Sequence, residues 1–155
     1  MAAQRKPEIY VRRDLVKPLP QQERLLEAMY DKEYILYGGA AGGGKSYILR
    51  WALLELHGYW HSIGIDNVTT GLFCESYPAL EDRQIKYFRR EMPPEFGELK
   101  GTQEEGFGFY IAPGWGGGMI ALRNLDKPEK YRSAQFAAIA VDELTMLSRD
   151  TFEWL

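Results

Sequence analysis

Residues 34–50 read YILYGGAAGGGKSYILR, five glycines, two alanines and a lysine set between an apolar run and a run with helical spacing. Glycine is costly wherever a chain must be ordered, because it loses the most freedom on folding. Such a cluster implies a backbone that comes very close to something. Gly39-Ala40-Ala41-Gly42-Gly43-Gly44-Lys45-Ser46 fits the spacing G-x-x-x-x-G-K-[ST]. Small residues let successive backbone N–H groups crowd around a phosphate, and the start of a helix adds a favourable dipole. Lys45 would reach the β- and γ-phosphates of a nucleoside triphosphate, and the Ser46 hydroxyl would hold Mg²⁺. A glycine-rich turn that happens to carry a lysine is the simpler alternative, and the apolar run before it and helical run after it argue against that.

A second acidic element completes the pattern. The stretch AAIAVDE ends in Asp142 and Glu143. A parallel sheet would carry both carboxylates to the edge where the glycine loop sits. The first can hold Mg²⁺, directly or through water. The next can polarise an attacking water as a general base. A small-molecule kinase needs no water-activating glutamate, whereas a hydrolytic motor does. The simpler alternative is an acidic pair capping a strand end. Upstream, Gln21 and Gln22 precede the loop; a carboxamide donates and accepts, so either could read an adenine edge or remain a solvated helix-end residue.

These residues need elements to hold them. Residues 1–19 carry Arg5, Lys6, Arg12, Arg13 and Lys17 among prolines and read as a basic extended arm. Residues 20–30 read as a helix with Pro20 near its start. Residues 33–38 (EYILYG) read as a short apolar strand. Residues 44–57 read as a helix, with Leu49, Ala52, Leu53 and Leu56 on one face and Gly58 as its stop. A strand is expected over 68–76 and a helix over 79–92, closed by Pro93-Pro94. Residues 106–125 read as two strands around a glycine-rich turn, and 136–143 as a buried strand. Alternating strands and helices indicate an α/β fold with a mainly parallel sheet, of the P-loop type given the loop.

The chain of 155 residues is long enough for one domain with a real core. Its net charge of −3 does not draw it as a whole onto nucleic acid or membrane, so such contact needs a local patch. One cysteine, Cys74, excludes an internal disulfide. No apolar run approaches the length of a membrane span. The final residues, SRDTFEWL, read as the opening of a helix capped by Ser148, with Phe152 and Leu155 three apart, which suggests part of a longer protein.

With P-x-Q, YGGAAGGGKS and F-x-x-IAVDELT in place, the chain resembles the N-terminal ATPase domain of the large terminase subunit of tailed bacteriophages. The likeness runs from about Leu19 to Leu155 and includes KYRSAQF before the last strand and ESYPALEDRQI after the second. The resemblance implies a RecA-like, ASCE-type fold that hydrolyses ATP with Mg²⁺ to drive double-stranded DNA into a procapsid. It implies a homo-oligomeric ring on the portal protein, help from a small terminase subunit, and a place in the host cell cytoplasm away from any membrane. Lys45 and Ser46 take the Walker A roles, Asp142 and Glu143 the Walker B roles, and Gln22 before Gln21 the adenine contact. Ala41 stands where many members carry an arginine, so a cis arginine from the loop is missing. Ser133 stands where glycine is common. The family's coupling motif and C-terminal nuclease domain lie beyond this sequence, so DNA cleavage is not expected of it. A helicase-like P-loop ATPase, or an ATP-binding module that does not hydrolyse, are the competing expectations.

Other residues are weaker candidates. Arg83, Lys86 and Arg90, with Arg89 beside them, form a basic stripe that could grip DNA phosphates, but Glu81, Asp82 and Glu91 lie nearby and a solvated helix face is the simpler reading. Trp115 within GWGGG could face DNA or a neighbouring subunit, though a packed turn is favoured. Arg123 and Arg132 are candidate sensors of the γ-phosphate. His57 and His61 are spaced i, i+4 but lack further ligands for a metal site. Cys74 reads as a buried strand residue.

Overall fold

The computed structural model describes residues 16–39, 44–131 and 133–154. The basic arm over 1–15, loop residues Ala40, Ala41, Gly42 and Gly43, Arg132 and Leu155 lie outside them. Among the described residues, helices α1 (Pro20–Ala28) and α2 (Lys45–Ser62) precede the sheet. Strand β1 (Thr69–Cys74) is next, then α3 (Tyr77–Leu80), a π turn (Glu81–Ile85) and α4 (Lys86–Glu91) as one run of helix. Strands β2 (Gly97–Thr102), β3 (Gly106–Ile111), β4 (Met119–Asn124) and β5 (Ile139–Val141) complete the sheet, and α5 (Arg149–Trp154) ends the described chain. Ser148 caps α5, accepting the Thr151 N–H at 3.2 Å.

The fold is α/β, with five strands in the order β2-β3-β4-β1-β5. The sheet is mixed rather than mainly parallel. β1 runs parallel to both β4 and β5, while β2–β3 and β3–β4 pair antiparallel. The reason is connection length: the turn between β3 and β4 is too short for a crossover, which a parallel pair requires. β2 was not expected. Its residues GELKGT are polar and bounded by glycine, and they become a strand through their pairing with β3.

Three other expectations change. Residues 33–38 form no strand: Tyr34 is 86% exposed and Leu36 83%. An apolar run becomes a strand only beside a partner, and among the described residues none lies alongside. The last strand is short, with Ile139 40% exposed, and among the described residues it lies at the sheet edge with β1 as its one neighbour. Helix α2 does not stop at Gly58 but continues to Ser62. The surface left bare by Gly58 is filled by Trp115, whose ring would lie 2.7 Å from a Cβ there.

The core lies on one face of the sheet. Ile48, Trp51 and Leu54 of α2 pack with Leu72 and Cys74 of β1, Ile120 and Leu122 of β4, and Ile85 and Phe88 of the second helical run. On the opposite face Phe73 meets the rings of Tyr131 and Phe136 at 5.4 and 5.6 Å. β1 is thus buried on both sides, as a central parallel strand must be. No helix among the described residues is long and apolar enough to cross a membrane.

Candidate functional site

The glycine loop leads directly into α2. Gly44 is the N-cap, at φ 69°, a left-handed conformation that glycine adopts freely. It is doubly constrained, since a Cβ there would come within 2.6 Å of Gln22 Nε2. Lys45 and Ser46 open the helix. Lys45 Nζ donates to the Gly39 carbonyl at 2.9 Å, tying the two ends of the loop together.

Gln22 is buried and holds α1 to this loop. Its Oε1 accepts the Leu19 N–H at 2.8 Å, and its Nε2 donates to the Gly44 carbonyl at 3.2 Å. The first bond satisfies an orphan donor at the start of α1. A carboxamide has two donors and two lone pairs, so each side retains one further capacity. Gln21 is exposed on the same helix.

Asp142 comes directly after β5, its N–H donating to the Phe73 carbonyl at 2.9 Å so that the ladder with β1 extends one residue. Its side chain is 1% exposed. Gln84 Nε2 donates to Asp142 Oδ2 at 2.8 Å and to the Ser46 carbonyl at 3.4 Å. The Asp142 carboxylate and the Ser46 backbone carbonyl therefore share one amide nitrogen. Glu143 comes next at φ 54°, ψ 55°. A glutamate in the left-handed region is strained by about 1–3 kcal/mol, a cost usually found where function demands the geometry.

Beneath the site Arg50 is buried on α2. Its Nη1 donates to Gln84 Oε1 at 3.0 Å, to the Arg83 carbonyl at 2.9 Å and to the Ser46 carbonyl at 3.2 Å. Its Nη2 meets Glu91 Oε2 at 3.2 Å. Burial pushes this guanidinium below its usual range, and Glu91 pulls the other way. Sequence reasoning singles out neither Arg50 nor Gln84. Both look like ordinary polar members of helices, and no spacing rule marks them.

Ser46 and Asp142 offer hard oxygen donors, and neither is an imidazole or a thiolate. That suits Mg²⁺, which takes one or two protein oxygens and completes its shell with phosphate and water. Among the described residues no cluster of three His, Cys, Asp or Glu side chains could make an all-protein metal cage.

The remaining candidates sit elsewhere. Arg123 lies on β4, across β1 from Asp142, and its Nη1 donates to the Phe107 carbonyl at 2.6 Å. Arg83 pairs with Glu75 rather than joining a surface stripe, and Arg90 lies over the Tyr87 ring. Lys86 and Arg89 are exposed. Trp115 is packed, its Nε1 donating to the Leu54 carbonyl at 2.9 Å and its ring 5.0 Å from that of Phe96. His57 Nε2 meets Thr70 Oγ1 at 3.0 Å, while His61 Nδ1 meets Asp66 at 2.7 Å, so the two imidazoles have separate partners. Cys74 is buried and free.

Compared with protein-family models, curated proteins and solved structures, the chain has no match in any of the three.

Proposed function

We propose that this chain is a P-loop ATPase domain and that it serves a terminase-like DNA-packaging motor. One observation carries the catalytic part. Ser46, at the end of the glycine loop, and Asp142, at the end of β5, share Gln84 as a hydrogen-bond partner. Two residues 96 positions apart in the chain are thus joined through one side chain, the Ser46 backbone carbonyl and the Asp142 carboxylate, which supports a shared Mg-nucleotide site. The motor assignment is supported by the sequence resemblance, which spans the loop, the acidic pair and the segments around β1 and β5.

In this reading the N–H groups at the start of α2 and Lys45 hold the β- and γ-phosphates of ATP. Ser46 and Asp142 would hold Mg²⁺, which would offset charge on the phosphate oxygens. Glu143 takes a proton from the attacking water as that water meets the γ-phosphorus, and ADP departs. The left-handed backbone at Glu143 fixes where that carboxylate begins. Double-stranded DNA, a portal protein, a small terminase subunit and further copies in a ring are the partners this assignment entails, in the host cytoplasm.

The test is Mg-ATP hydrolysis by the chain beside Glu143→Gln and Lys45→Ala, over a range of protein concentrations. The expected result is turnover by the wild type, ATP binding without turnover by Glu143→Gln, and no binding by Lys45→Ala. Stimulation by linear duplex DNA with portal-bound capsids would support the packaging role, whereas duplex unwinding would favour a helicase-like ATPase.

A second reading, a module that binds ATP without hydrolysing it, is favoured by one feature. Tyr34 and Leu36, just before the loop, stand outside the sheet, so that approach to the loop is not braced by strand pairing. Tight binding with no turnover at any protein concentration would select it.

A further inference from the structure

We propose that Gln84 is a positioning residue for the metal-binding pair, holding Asp142 and the first turn of α2 in one geometry. The proposal rests on the ATPase reading above and adds to it a residue that the loop and acidic motifs do not contain.

The amide has only one orientation available. Arg50 can only donate and a carboxylate accepts, so Gln84 must turn Oε1 to Arg50 and Nε2 to Asp142. The observed contacts obey that order, 3.0 Å to Arg50 and 2.8 Å to Asp142 Oδ2. Gln84 is fully buried, so water does not compete for these bonds. Its second Nε2 contact, to the Ser46 carbonyl, links the carboxylate to the backbone of the residue whose hydroxyl is the other metal ligand.

Gln84 is in turn anchored. Arg50 binds its oxygen and also the Arg83 and Ser46 carbonyls, and Glu91 holds the far nitrogen of the guanidinium. Gln84 sits in the π turn, where widening of the helix frees backbone carbonyls from their usual partners. Such turns recur at functional sites. The arrangement orients a ligand from behind, as outer-shell partners do at metal sites, where losing one costs 10–100-fold in metal affinity.

The test measures binding of a fluorescent ATP analogue to the full chain, first in EDTA and then as MgCl₂ is added. Two variants are compared with wild type: Gln84→Met, which keeps length but loses polarity, and Gln84→Asn, which keeps polarity but loses reach. Unfolding curves establish that each is folded, and the Asn variant decides if the Met variant is not. The expected result is unchanged affinity in EDTA, within about twofold, and a Mg²⁺ requirement raised at least about tenfold. In an Asp142→Ala background, Gln84→Asn is expected to add nothing further, because its effect passes through Asp142. A folded variant with the wild-type Mg²⁺ response overturns the positioning role and leaves the ATPase reading standing. Equal weakening with and without Mg²⁺ also overturns it, as that marks general damage to the loop. A wild type that binds no nucleotide under either condition overturns both.

Discussion

The ring of Trp115 occupies the place where a Cβ on Gly58 would stand, 2.7 Å away, while its Nε1 donates to the Leu54 carbonyl one turn earlier on the same helix. An indole thus seals a glycine within α2. Gly58→Ala gains about 1 kcal/mol of helix propensity but forces overpacking that costs about 1–3 kcal/mol. We expect a net loss of stability in urea unfolding. In a Trp115→Ala background the same change should stabilise. Stabilisation by Gly58→Ala alone would show that the indole does not occupy that space.

Glu143 offers a separation of stability from chemistry. Its left-handed backbone costs a non-glycine residue about 1–3 kcal/mol, whereas glycine enters that region without strain but loses more entropy on folding. Glu143→Gly should therefore leave stability equal or up to about 1 kcal/mol higher, while under the proposed ATPase function turnover should fall by about 10²–10⁴. Glu143→Gln should lose turnover with stability unchanged. A large stability loss in the glycine variant would argue against strain at Glu143.

His57 predicts how stability depends on pH. Burial pushes its pKa from 6.5 down to about 4, against a backbone hydrogen bond with Gly117. Between these values the unfolded chain binds a proton that the native protein refuses. Stability should be flat above pH 6.5 and fall as pH drops toward 4, by roughly 3 kcal/mol in all. His57→Gln should remove most of that slope. Urea titrations from pH 4.5 to 7.5 read it directly, and an unchanged slope in the variant would assign the dependence to other groups.

Cys74 is expected to be chemically silent. It is fully buried on β1, between β4 and β5, and burial pushes the thiol up to about 12. The thiolate is the reactive form. A maleimide at pH 8 should label the native protein negligibly and the urea-unfolded chain fully. Rapid native labelling would mean that β1 opens far more easily than its central position implies.

The strongly patterned parts of this fold were legible in the sequence. α1, α2, β1, β3 and β4 come from apolar periodicity bounded by proline, glycine and caps; spacing also marks the loop lysine and the acidic pair as candidates, but the strand expected before the loop does not form. The parts that were not legible depend on neighbours. Tyr34 and Leu36 look like a strand, but periodicity cannot supply a partner. β2 looks like a loop until β3 pairs with it. Gly58 looks like a helix end unless an indole from far along the chain covers it. Gln84 carries no local mark, because its importance comes from Arg50 on one side and Asp142 on the other.

The π turn at Glu81–Ile85 takes up one residue without changing the phase of α4. A turn closed by i→i+5 bonds holds about one residue more than an α turn. Deleting a single residue there would return the helix to ordinary winding and leave α4 facing the sheet nearly as before. Phe88 would stay in the core, while the Arg83 carbonyl would rejoin the helix ladder and leave Arg50. An insertion in the exposed hairpin tip at 103–105 leaves that bond untouched. In a family descended from this chain, length would drift freely at that tip, and a one-residue gap in the turn would mark members without the bond to Arg50, a pattern set by geometry before any question of which side chains are retained.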